Sequence, residues 1–173
     1  MTKLSPFALA RPLGQCSRHG GFTLVELIIG IALLAILLSV AIPSYQNVIA
    51  NQSVNAAATA LQSAISLARS EAIKRNRSVT LRPAIEGEWT DGWLIANPDS
   101  PDEDDAALHL ERLTGKVVVE ASDDGGLQFN GSGRLAGDTS RTFQIGSVSD
   151  EDQQRCVTVG LDGRPARRSG GCA

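Results

Sequence analysis

Gly20-Gly21-Phe22-Thr23-Leu24-Val25-Glu26-Leu27-Ile28-Ile29-Gly30 is the stretch from which the rest of the chain is best read. From Leu27 to Ile42 no residue is charged, and only Ser39 is polar. A helix over 22–45 would run about 36 Å at about 1.5 Å per residue, enough to cross a hydrocarbon core with some tilt. Glu26 falls in its first turns. A carboxylate at bilayer depth costs roughly 2.5–3.5 kcal/mol on insertion scales, so it marks a functional position that needs a partner.

Toward the N-terminus, residues 1–21 carry Lys3, Arg11 and Arg18 and are interrupted by Pro6 and Pro12. This segment has no apolar core of its own and no small-residue cleavage site of the ordinary secretory kind. Its charges are expected to stay cytoplasmic. It therefore reads as a leader, with the apolar run serving as both targeting signal and retained anchor of a single-pass protein. Loss of the leader takes the formal charge from −3 to −6 with its three basic residues. That acidity excludes a general nucleic-acid or anionic-membrane surface and leaves only local patches for such partners.

Toward the C-terminus, Pro43 removes an intrahelical hydrogen bond and is expected to kink or loosen the helix. Beyond it Val54, Ala57, Ala58, Leu61, Ala64, Ile65, Ala68, Ala72 and Ile73 recur at three- and four-residue intervals, one face of an amphipathic helix. Lys74–Asn76 suits its C-terminus. After Arg77 the pattern changes to short runs bounded by Gly, Pro, Asp or Ser. Strands are expected over 78–82, 92–96, 108–113, 116–121, 126–129, 142–146 and 156–160. The organisation is a leader over 1–21, a transmembrane part over 22–45, an amphipathic half over 46–76 and a β domain over 77–173. The fold class is α+β, a long N-terminal helix packed on an antiparallel sheet.

The pattern Gly21-Phe22-Thr23-Leu24-x-Glu26 before an apolar run, with Pro43 downstream, resembles the N-terminus of type IV prepilins and type II secretion pseudopilins. The resemblance implies cleavage after Gly21 by the prepilin peptidase and methylation of the new N-terminus at Phe22. It implies that Glu26 neutralises the N-terminal amine of a neighbouring subunit, so that other pilins are partners. It places the anchor in the inner membrane and the globular part in the periplasm. Trp89-Thr90-Asp91-Gly92-Trp93, Phe129-Asn130-Gly131-Ser132-Gly133-Arg134 and Arg155-Cys156-Val157-Thr158-Val159 with Gly163-Arg164 are similar to elements of the GspH/FimT subfamily of minor subunits.

Cys156 and Cys172 remain after loss of Cys16, and the residues alone allow either a bridge or two free thiols in an exported domain. Paired C-terminal cysteines are what the pilin resemblance implies. FimT-type minor pilins linked to DNA uptake carry a G-R-x-R element. Here Gly163-Arg164-Pro165-Ala166-Arg167-Arg168 places the second arginine one position later. The resemblance implies DNA contact through Arg164, Arg167 and Arg168; with Arg155 they otherwise form a solvated basic tail.

The remaining motifs favour structure over chemistry. Glu26 also meets the positive end of a helix dipole. Trp89 and Trp93 read as core or hairpin anchors rather than a binding platform, with Gly92 in a turn opening a strand, and His109 as structural. Asp99, Asp102, Glu103, Asp104 and Asp105 lack EF-hand spacing and read as a solvated loop. Gly131 to Gly137 reads as a hairpin, because no helix follows to present phosphate-binding amides. No nucleophile–base motif or metal-ligand spacing occurs. The expectation is a protein without enzymatic activity, cofactor or metal.

Overall fold

The computed structural model describes residues 21–100, 107–113, 116–150 and 152–172. The leader before position 21, apart from Gly21 itself, and acidic positions 102–105 lie outside that set. The chain divides into two units, one ending at Val40 and the other beginning at Ala41.

Helix α1 (Leu24–Arg75) is a single element of 52 residues, helical through position 43, where the proline led us to expect a kink. Up to Val40 its described side chains are exposed; Ile31, Leu34, Ile36 and Leu37 are each more than half accessible. Among the described residues no helix is long and apolar enough to cross a membrane. The sequence within α1 nonetheless carries no charge from position 27 to position 68.

In the second unit α1 turns one face inward. Val54, Ala57, Ala58, Leu61, Ala64, Ile65, Ala68 and Ala72 are buried as the periodicity predicts, while Ile73 stays 46% exposed. The helix stops at Asn76, whose φ of 50° is left-handed. There the Asn76 amide donates to the Ile73 carbonyl at 3.2 Å and the Arg77 amide to the Ala72 carbonyl at 3.2 Å. That is a Schellman ending, with asparagine in the place glycine usually takes.

The strands are β1 (Val79–Ile85), β2 (Glu88–Ile95), β3 (His109–Glu111), β4 (Val117–Ala121), β5 (Leu127–Phe129), β6 (Arg141–Ser147), β7 (Gln154–Val159) and β8 (Pro165–Ser169). They form two antiparallel four-stranded sheets, ordered β3-β2-β1-β5 and β4-β6-β7-β8. Both sheets share one core with α1. Thr90 of β2 joins them, its hydroxyl accepting from the Val119 amide of β4 at 3.1 Å. Trp89 and Phe143 meet edge-on across the same seam, ring centroids 4.8 Å apart.

Two expectations are corrected here. Trp89 to Trp93 is not a turn that opens a strand; it lies inside β2, both indoles are buried, and Gly92 is a mid-strand residue. Glycine is needed there because a Cβ would stand 2.1 Å from the Glu111 carbonyl oxygen of the neighbouring strand. The basic segment after Gly163 is not a tail; Pro165–Ser169 is the edge strand β8, paired along β7.

Candidate functional site

Thr23 caps α1. Its hydroxyl accepts from the Glu26 amide at 3.2 Å, and its carbonyl accepts from the Leu27 amide at 3.1 Å. Thr23 and Glu26 thus stand at the N-cap and N3 positions of a capping-box sequence, a signal carried by Thr23-Leu24-Val25-Glu26 itself. The cap fixes where the helix starts and places the Glu26 carboxylate in its first turn. No ion pair to that carboxylate occurs among the described residues. A Cβ added to Gly21 would meet nothing within 4 Å, so the fold of this chain makes no steric demand for glycine there.

The β7–β8 hairpin lies along one polar flank of α1. Arg155 donates from Nε to Asn55 Oδ1 at 2.8 Å and from Nη2 to Asn51 Oδ1 at 2.8 Å. Asn55 in turn donates to Asn51 at 2.9 Å. One helical turn on, Arg167 Nη1 donates to Thr59 Oγ1 at 2.6 Å. At the hairpin turn, Gly163 (φ 73°) packs so closely that a Cβ would stand 2.2 Å from the Gly133 carbonyl oxygen. Arg69 Nε donates to that same oxygen at 2.9 Å. The two Gly-Arg elements, distant in sequence, are therefore held together on one arginine of the helix.

Cys156 and Cys172 are joined at 2.03 Å, closing β8 into a loop. The Cys172 amide donates to Gln144 Oε1 at 3.2 Å on the adjacent strand. Arg164, Arg167 and Arg168 are all exposed, but they do not form one row. Arg167 faces α1 and, by strand alternation, Arg168 faces the other way. Arg164 lies 3.7 Å from Asp162.

Asp99, His109 and Glu71 each have a partner within the fold. Asp99 pairs with Arg75 at 3.4 Å and with Arg77, tying its loop to the end of α1. His109 lies 3.6 Å from Glu111 within β3. Arg75, at 2.8 Å, holds the Glu71 carboxyl below its ordinary range. Among the described residues no group of His, Cys, Asp or Glu is placed to hold a metal.

The family profile of the type II transport protein GspH matches residues 57–163, more than half of the chain. The chain belongs to the GspH family. The prokaryotic N-terminal methylation motif matches residues 16–42 of the same chain. Among solved structures, this GspH-family chain is similar to the type IV minor pilin FimU of Pseudomonas aeruginosa. The match has a TM-score of 0.60 and 23% identity, over 68% of this chain and 89% of FimU. It is also similar to the minor pseudopilin EpsH from the type 2 secretion system of Vibrio cholerae. There the TM-score is 0.51 and the identity 17%, over 68% of this chain and 97% of EpsH. The fold is pilin-like, a long N-terminal helix followed by antiparallel sheets.

Proposed function

We propose that this GspH-family chain is a minor pilin or pseudopilin, a structural and assembly subunit of a type II secretion pseudopilus or a type IV pilus. In this reading the prepilin peptidase cuts after Gly21, Phe22 becomes a methylated N-terminus, and positions 22–45 anchor the chain in the inner membrane. The observation that carries the reading is the capped start of α1, where Glu26 is followed by a charge-free helix with exposed apolar side chains. Among the described residues no helix is long and apolar enough to cross a membrane. We rest the anchor on Leu27 to Ile42, where no residue is charged and Ser39 alone is polar, because charged and polar side chains are what keep a helix out of hydrocarbon. A surface so apolar requires cover from lipid or from like helices.

Glu26 then offers its carboxylate to the Phe22 amine of a neighbour, an ion pair that is costly to break once desolvated. Mass spectrometry of membrane-extracted protein tests the processing step; the expected N-terminus is methylated Phe22, and Gly21→Ala should retain the leader. Glu26→Gln should insert normally yet fail to co-purify with partner pilins, and normal incorporation would refute the amine pairing. The partners recovered with the parent chain name the system, secretion pseudopilins for one and pilus subunits for the other.

A second reading, DNA contact during uptake, is favoured by three exposed arginines within five positions on a hairpin closed by a disulfide. Arginine forks bond phosphate oxygens and release counterions, so binding should weaken steeply with salt and show little sequence preference. Fluorescence anisotropy with short duplexes at two salt concentrations tests it. Equal binding by the Arg164→Ala, Arg168→Ala double variant removes the DNA role.

A further inference from the structure

A groove of about 880 Å³ lies in the second unit, where the apolar run ends. α1 lines it with the large apolar Ile42, Tyr45 and Ile49 and with the polar Gln46 and Ser53, and the β domain lines it with Lys116, Ser147 and Ser149. The three helix residues are exposed, Tyr45 to 67%. Lys116 is the one charged residue that lines the groove. It is exposed and has no ion pair among the described residues. Ser147 and Ser149 share a hydroxyl–hydroxyl hydrogen bond of 3.0 Å, so one hydroxyl proton remains available to an acceptor. Val148 between them is 63% exposed, an apolar side chain on a turn.

From this pairing of apolar helix side chains with a single cation and a set of hydroxyls, we infer that the groove seats one phospholipid of the bilayer surface. The lipid phosphate lies against Lys116 and the serine pair, and an acyl chain lies along Ile42, Tyr45 and Ile49. Three observations select this occupant. The lining joins apolar side chains to a cation and hydroxyls, as a lipid joins acyl chains to a phosphate headgroup. Ile42 is both the last residue of the apolar run and part of the wall, so a bilayer holding the run delivers lipid to this site. Tyr45 and Lys116 are an aromatic ring and a long-stemmed cation, the side chains that settle at a headgroup boundary. The acidic chain offers no broad attraction to anionic lipid, so the contact is confined to Lys116.

The inference rests on the membrane anchor proposed above, and its test separates the two. The full chain is placed singly in nanodiscs of phosphatidylcholine and phosphatidylglycerol, both carrying a diazirine near the glycerol. After irradiation, adducts are mapped by peptide mass spectrometry. Adducts are expected within 24–42 and, separately, on the peptides containing Lys116 and 147–149. Lys116→Gln should lower the second set about fivefold and leave the first unchanged, the effect of removing one surface cation from a phosphate. Adducts confined to 24–42, or a second set that Lys116→Gln does not change, overturn the groove assignment and leave the anchor standing. Absence of adducts from 24–42 overturns the anchor itself and the groove with it. A groove free of lipid in one-chain discs but covered in two-chain discs assigns it to a neighbouring helix, and also overturns the proposal.

Discussion

Gly163→Ala should be among the most damaging single-methyl additions to this protein. At φ 73° an alanine occupies the left-handed region, which costs about 1–2 kcal/mol. Its Cβ would also stand 2.2 Å from the Gly133 carbonyl oxygen, a backbone atom that cannot swing aside as a side-chain tip can. Restoring contact distance moves one turn by on the order of 1 Å. That movement lengthens the hydrogen bond from Arg69 Nε to the same oxygen, now 2.9 Å. A bond to a charged donor contributes about 1.5–3 kcal/mol, so the combined loss is about 2.5–5 kcal/mol. Gly87→Ala supplies the control: its φ of 77° carries the same backbone cost, but a Cβ there meets nothing within 4 Å. Urea unfolding of the mature chain in detergent, followed by fluorescence of the buried Trp89 and Trp93, reads both variants. The reasoning is refuted if Gly163→Ala is no more destabilising than Gly87→Ala.

Asn76→Ala should lower stability by about 1 kcal/mol in the same assay, because alanine lacks the local polar compensation that lets asparagine hold a left-handed φ; Asn76→Gly should restore it. Replacing Cys156 and Cys172 together by serine should cost about 3 kcal/mol, from the loop-closure entropy returned to the unfolded chain, and reduction of the parent should match it. Glu71 has a lowered pKa in the folded chain, chiefly through its hydrogen bond to Arg75, so it contributes stability above the ordinary value of 4.5 that is lost as pH falls below it. Unfolding midpoints measured down that acid limb should fall less steeply for Glu71→Gln than for the parent.

The buried face of α1 was legible because eight apolar positions repeat at helical spacing and all eight are buried. Ile73 fits the same period but lies in the last turn, where it meets the bare backbone at Gly133 and stays part exposed. The helix end was legible from its composition, and the capping box was there to be read in Thr23 and Glu26. What the sequence hid was partnership, which segments pair and what each side chain meets. Pro165–Ser169 has no alternation of apolar residues, and four of its five positions are exposed, so nothing local marks it as a strand. It is a strand because β7 offers an edge and the Cys156–Cys172 bridge holds the segment against it. Trp89 to Trp93 misled in the opposite direction. A glycine between an aspartate and a tryptophan suggests a turn, whereas this glycine exists to let β3 come close. The hydrogen bonds of Arg155 and Arg167 to the helix span 100 to 108 positions, and no local pattern announces them.

Those bonds explain why α1 stays uncharged well beyond the apolar run. Positions 51, 55 and 59 are polar, yet they are Asn, Asn and Thr where an ordinary exposed helix face would carry Lys and Glu. Arg155 and Arg167 supply the cations from the hairpin, and neutral amide and hydroxyl oxygens suffice to receive them. A carboxylate at position 55 would bond Arg155 more strongly but would add the cost of desolvating a second charge at a partly buried contact. Two different requirements thus write the same charge-free sequence. Before Val40 the side chains find no cover within the described chain, and after Ala50 the chain's own sheets supply it. The two halves are consequently separable by mutation. Changes at Glu26 should alter what the chain assembles with and leave the urea midpoint in place. Changes at Arg155 or Gly163 should move the midpoint and reach assembly only through the stability of the domain.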